Sequence, residues 1–422
     1  MNAKARIASP SIIDAAARDQ RLPHPAMFRR YPIKMAIHLA PTDMSATSEQ
    51  VDTFRAFASQ GDPLADAMVE EMRNIESGHG RRLFERALEN GIDFVPEACP
   101  ALKALFHEVD AIPYWLDQNK LALGARTIQR TGLMGAYGAL VDVSLMGGYL
   151  ARKALKVLTR TGEIGQKAPR RIAETALWWM SVTDPGGLER HADGFKNTLR
   201  VRVTHAQVRA AMNRASDWNF AEWDTPVNQP QMAGTQLLFS LIGVLGMRVM
   251  GFRFTTEEVD AVIHLWRYVG HLIGVHHALL PANESDAWRL MWMLAETEFQ
   301  PDNDSRALAT ALRDALPQLH GLTDDNAITK WVSGLVVNYH SALSRLVLGS
   351  DNGDALGQDG KPMFTLAVAA TSAVNFGVES VRKLIPGATA VSVRLGRSSR
   401  RLAMNRLAPP LNPDLTFSRD HH

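Results

Sequence analysis

The sequence predicts an all-α protein. Apolar residues recur at helical spacings (i, i+3/i+4, i+7) through most of the chain, and helix start and stop signals recur at matching intervals. The one β-like run, residues 388–394 (ATAVSVR), is too little to build a sheet. The 422 residues are 46% apolar and 21% charged, ordinary globular usage that excludes wholesale disorder, a collagen repeat and a disulfide scaffold. With 46 Lys and Arg against 44 Asp and Glu, the net charge of +2 provides no field for gripping nucleic acid. The single cysteine, Cys99, rules out an internal disulfide, a CxxC motif and a thiolate-held cluster. A cytoplasmic protein is expected, because the N-terminal MNAKARIASPSIIDAAARDQR lacks the continuous apolar core of a secretory signal.

In chain order, residues 47–59 and 64–77 pattern as amphipathic helices, with Ser45 or Thr47 and then Asp62 or Pro63 as starts. Residues 81–89 continue to a stop at Asn90-Gly91, and helices follow over 100–108 and 119–130. Residues 131–151 are nearly all apolar or small, and Arg152, Lys153 and Lys156 follow them. Five glycines and Asp142 near the centre favour a buried helix over a membrane-associated one, since a charge at mid-membrane is costly. Further helices suit 168–182, 195–215, 229–250, 256–278, 285–298, 304–315, 325–347 and 364–384. Breaks fall at Asp184-Pro185-Gly186-Gly187, Asp224-Thr225-Pro226, Pro281, Pro301 and 351–362. This organises the chain as an N-terminal extension (1–45), a helical domain (46–385) and a basic, Pro-rich tail (386–422). In the tail Arg394, Arg397, Arg400, Arg401 and Arg406 have no acid between them. It reads as a solvated, partly ordered tail, with contact to acidic lipid or nucleic acid as the alternative.

HExxH, GxSxG, GxxxxGK[ST] and GxGxxG are all absent. The Asp/Gly run at 351–362 lacks calcium-loop spacing and reads as a surface loop. His264 and His271 share a helical face, whereas adjacent His276 and His277 diverge by about 100°. These four read as hydrogen-bonded core or interface histidines rather than as a metal site.

The densest constellation lies between 171 and 209, RIAETALWWMSVTDPGGLERHADGFKNTLRVRVTHAQVR. Arg171 and Thr175 project from one helical face that Trp178 continues, and Glu174 lies about 100° from Thr175. After the DPGG turn, Val201, His205, Val208 and Met212 form a stripe at spacings of 4, 3 and 4, flanked by Arg202 and Arg209. One imidazole on an apolar stripe is either a satisfied core histidine or the proximal ligand of a haem. In the second case the arginines suit propionates and the facing Arg and Thr suit bound oxygen. Ordinary surface ion pairing is the other reading of Arg202 and Arg209.

Three ordered blocks carry a resemblance. RIAET (171–175), TDPGG (183–187) and VRVTHAQVR (201–209) make the first, WDTPVNQPQMAGTQLLFS (223–240) the second and WRYVGHLIGVHHALLP (266–281) the third. Together they resemble the latex-clearing proteins and the MpaB-type oxygenases, one superfamily of haem-dependent oxygenases, over roughly residues 80–300. The resemblance implies a globin-like helical core with additional surrounding helices. It makes His205 the proximal ligand of haem b, places Arg171 and Thr175 in the distal motif, and makes O2 and an apolar small molecule the substrates. Glu174 stands where latex-clearing proteins carry a lysine, and GYLARKALK (148–156) has no counterpart of their upstream glutamate. Glu174 is read either as an acid–base group or as a surface residue, and Trp178 or Trp179 as a wall of the pocket. Asn228 and Gln229 read as a helix cap. The competing readings are a non-catalytic haem or lipophile carrier and a peripheral membrane protein.

Overall fold

The computed structural model describes residues 20–30, 33–75, 78–160 and 168–411; the first nineteen residues and the end of the tail lie outside the described residues. Among the described residues there is no β-strand, and an isolated bridge joins Arg21 to Thr47. The all-α expectation holds.

The early helices start where their caps dictate. In α1 (Ser48–Ala56) the Thr47 side chain accepts from the Gln50 amide, and Gln50 bonds back to the Thr47 amide in a capping box. In α2 (Pro63–Arg73) Asp62 caps the Ala65 amide and proline occupies the first turn, where its missing N–H costs nothing. Then come α3 (His79–Asn90), α4 (Pro100–Asp110) and α5 (Gln118–Gln129).

The apolar stretch forms α6 (Gly132–Gly148), whose residues Gly135–Leu145 are wound as a π-helix. It is buried along nearly its whole length, as its small residues and Asp142 predict. The chain then bends by 94° into α7 (Arg152–Arg160). The sequence pattern ends the apolar stretch at 151 and marks no helix before 168, so it predicts neither α7 nor the corner.

The antiparallel pair α8 (Ala168–Val182) and α9 (Asp193–Arg214) follows, then α10 (Gln229–Val249), with a second π segment at Leu238–Ile242. The Ser144 hydroxyl donates to the Leu238 carbonyl (2.6 Å) and ties the two π segments together. α11 (Thr256–Leu272) packs along α5 so closely that a Cβ at Gly124 would stand 2.4 Å from the Ala261 carbonyl oxygen. No side chain fits that crossing. α12 (Glu284–Thr297), α13 (Asn303–Leu319), α14 (Ala327–Leu348) and α15 (Pro362–Leu384) complete the expected set.

One expectation is corrected. Residues 388–394 are not extended; they open α16 (Ala388–Leu411). The β-branched residues of ATAVSVR misled the reading, because tertiary packing overrides local propensity. α16 packs on α6 and α8. Its Arg400 is buried, donates to the Thr183 hydroxyl and lies 4.6 Å over the Trp179 ring. Burial among these groups brings Arg400 down to about 10.

A single large core runs from α1 to α15, with a smaller cluster where α6, α8 and α13 meet and a third made by Val157, Val208 and Trp218.

Candidate functional site

The DPGG turn closes the α8–α9 hairpin. The Gly187 amide bonds to the Asp184 carbonyl (2.9 Å), and a Cβ on Gly187 would stand 2.1 Å from the Ser181 carbonyl oxygen. Near this turn the helices are joined by the Trp178 indole, which donates to the Thr198 hydroxyl (3.1 Å), and that hydroxyl donates to the Gly194 carbonyl (2.7 Å).

Trp178 is buried and meets Phe239 and Trp266 edge-on, with centroids 5.5 and 5.7 Å away, while Phe239 and Trp266 stack at 5.0 Å. Phe239 and Trp266 come from the second and third sequence blocks, and Trp178 from the helix that carries RIAET, so these segments converge on one aromatic cluster. The second and third blocks meet again at Gln229. Its amide nitrogen donates to the Gly61 and Gly274 carbonyls (2.8 and 3.0 Å), and its oxygen accepts from the His276 amide (2.7 Å). Asn228 caps α10 through a capping box with Gln231. These two residues brace the scaffold, as expected.

His205 is half-buried on α9. On its stripe Val201 packs against the main core, while Val208 and Met212 join the Val157–Trp218 cluster. The imidazole therefore sits between two apolar clusters, with α7 along one of them. On α8 the Thr175 hydroxyl donates to the Arg171 carbonyl (3.0 Å), one turn back along the helix. Glu174 is buried and accepts from Arg170 Nε (3.0 Å), which decides against the surface reading. Arg171 is half-buried, and its charge acts on the Tyr149 phenol, which burial pushes up.

Arg202 and Arg209 are both buried and both have internal partners. Arg202 donates to Asp62 (2.6 and 3.0 Å), to Glu108 (2.8 Å) and to the Leu272 carbonyl. Burial works against its charge, yet these carboxylates hold it above the ordinary arginine range. Arg209 donates to Asp66 (2.8 and 2.9 Å) and to the Val227 carbonyl (2.9 Å). The two arginines fasten α9 to the first turn of α2.

Two other histidines bond to the backbone, while His271 Nε2 is buried without a hydrogen-bond partner. His264 Nε2 accepts from the Asp117 amide (3.0 Å), and His276 caps the Ala278 amide. Among the described residues no three His, Cys, Asp or Glu side chains gather as a metal site. Of the residues a haem would use, His205 offers an imidazole between apolar clusters, whereas Arg202 and Arg209, already paired, do not fit as partners of propionates.

Sequence reasoning passed over Glu298. Burial pushes its carboxyl up, against the pull of the Lys153 ammonium on α7, and Asp224 adds to the rise. Lys153 itself pairs with Asp224 (2.7 Å). No local motif marks Glu298, which stands just past the end of α12.

Residues 125–374 match the family described as ER-bound oxygenase mpaB/B'/Rubber oxygenase, catalytic domain. The chain belongs to this family. Among the family's curated members, the Rubber oxygenase of Streptomyces sp. (strain K30) is 24% identical over 273 residues; the match covers 64% of this chain and 63% of that protein's length. The solved structure of latex clearing protein LCP in the closed state superposes with a TM-score of 0.60 at 20% identity. That match covers 82% of this chain and 91% of the other, and so places both on one fold.

Proposed function

We propose that the protein is a haem b-dependent oxygenase that uses O2 on an apolar small molecule. One observation carries this reading. In a chain of the rubber oxygenase family, His205 presents a half-buried imidazole between two apolar clusters, on the helix that bears the VRVTH block. When bound, the haem supplies the one-electron and O2 chemistry that side chains cannot. His205 would hold it, and the apolar stripe of α9 on which that imidazole stands would shield the ligand from water.

A second reading, a haem or lipophile carrier, is favoured by the internal bonding of Thr175, Arg202 and Arg209, whose donors already serve the fold.

The absorption spectrum of protein produced with ample haem tests the cofactor. A Soret band that His205→Ala abolishes, with helical content unchanged, is expected. A colourless wild-type protein would remove the oxygenase and the haem carrier and leave only a lipophile carrier. Oxygen uptake with an isoprenoid substrate then separates the oxygenase from the carrier.

A further inference from the structure

α15 is long and apolar enough to cross a membrane, yet it lies on the outside of the protein with most of its surface bare. Met363, Leu366, Val374, Phe376 and Leu384 are 66%, 71%, 66%, 54% and 81% exposed, and Trp331 of neighbouring α14 is 66% exposed. Residues 362–378 contain no charged side chain. A soluble surface does not normally leave a patch of this extent uncovered.

The helix is nonetheless fixed flat against the body. Asn375 donates to the Met250 carbonyl (2.9 Å), and Glu379 accepts from the Arg253 amide (3.2 Å) and pairs with Arg382 (2.8 Å) and Arg130 (3.6 Å). These contacts turn the polar stripe inward along the C-terminal half and hold the helix, about 34 Å long at 1.5 Å per residue, parallel to the surface.

The exposed charges of α15 and α16 have one sign. Lys361 and Lys383 stand exposed at the two ends of α15. On α16 the exposed Val391, Leu395 and Leu402 follow one helical face, and the exposed Arg394 and Arg401 each precede a leucine of that face. From Glu379 to Asp414 the sequence contains no acidic residue.

We infer that the outer face of α14, α15 and α16 docks on an acidic lipid bilayer, with α15 lying in the plane of the headgroups. An apolar face set in a cationic rim, with a tryptophan on it, is the composition of an interfacial helix. A second copy of the chain fits less well, since two-fold pairing through this face would set each basic rim against the other. The inference does not depend on haem.

Co-sedimentation of the full chain tests it, with vesicles of phosphatidylcholine alone and of phosphatidylcholine mixed with phosphatidylglycerol. The protein is expected to bind the mixed vesicles and to be released by added salt. Leu366→Glu with Phe376→Glu should lower binding by about tenfold or more on either vesicle, because charge enters the apolar contact. Arg394→Glu with Arg401→Glu should lower it by about tenfold on the acidic vesicles and leave the neutral ones unchanged. All four positions are exposed, so helical content and melting temperature act as folding controls. Failure to bind mixed vesicles at low salt overturns the inference. So does a lipid-free dimer, seen by light scattering, that Leu366→Glu with Phe376→Glu converts to monomer, since the face then belongs to a second copy.

Discussion

α6 and α15 are both apolar enough to suggest a membrane, and the structure treats them oppositely. α6 is sealed in the core. Its one charge, Asp142, is 1% exposed and meets His340 Nδ1 at 2.6 Å, and His340 Nε2 meets His320 Nε2 at 3.0 Å. α15 is mostly bare; Glu379 and Arg382 turn inward near its C-terminal end, and Lys383 stands exposed beside them. Mean hydropathy does not separate the two. What separates them is where the polar residues go: a partnered charge at mid-helix means protein on every side, while charges confined to one stripe leave the opposite face for something else to cover.

Three measurements bear on that contrast. The largest effect is expected from Asp142→Ala, which removes one partner of a buried pair and opens a space between α6 and α14. A loss of about 3 kcal/mol or more in urea unfolding is expected; a change near zero would mean that the pair does not hold α6 in place.

Acid comes next. Burial holds His264, His271 and His320 below the ordinary histidine range, His320 at about 4. Below about pH 6.5 the unfolded chain takes up protons that these folded histidines refuse, so stability falls as the pH drops from there toward about 4. Asp142 and Glu298, whose carboxyls burial pushes up, oppose the trend and make it shallower. Melting temperatures across this window should fall with pH, and His320→Gln should flatten the slope, because the α6 contact, unlike the face of α15, carries titrating groups.

The smallest effect is expected from Phe376→Ser on α15, within about 0.5 kcal/mol of wild type in urea unfolding without lipid. A larger loss would show that the face is already packed.

Much of the fold was legible because helix ends are chemically local. Thr47, Asp62 and Asn228 cap the helices that begin next to them, and each partner lies within three residues. The corner between α6 and α7 was not legible, since no proline marks it, and α16 was misread through its β-branched start. In the candidate site the shared face of Arg171, Thr175 and Trp178 followed from helical spacing. The partners of Arg202 did not, because Asp62 and Glu108 lie 140 and 94 residues away and only folding brings them together. Glu298 escaped for the same reason: its environment is made by Lys153 and Asp224, on other segments.

The bond from Arg400 to Thr183 spans 217 residues. The α8–α9 hairpin leaves the ribosome well before the guanidinium that covers Trp179 and ties down Thr183. During synthesis the back of α8 waits uncovered for α16, so closure around the hairpin lags behind its formation. A chain stopped at residue 385 would keep every residue of the three motif blocks and still lack the piece that clamps the first of them.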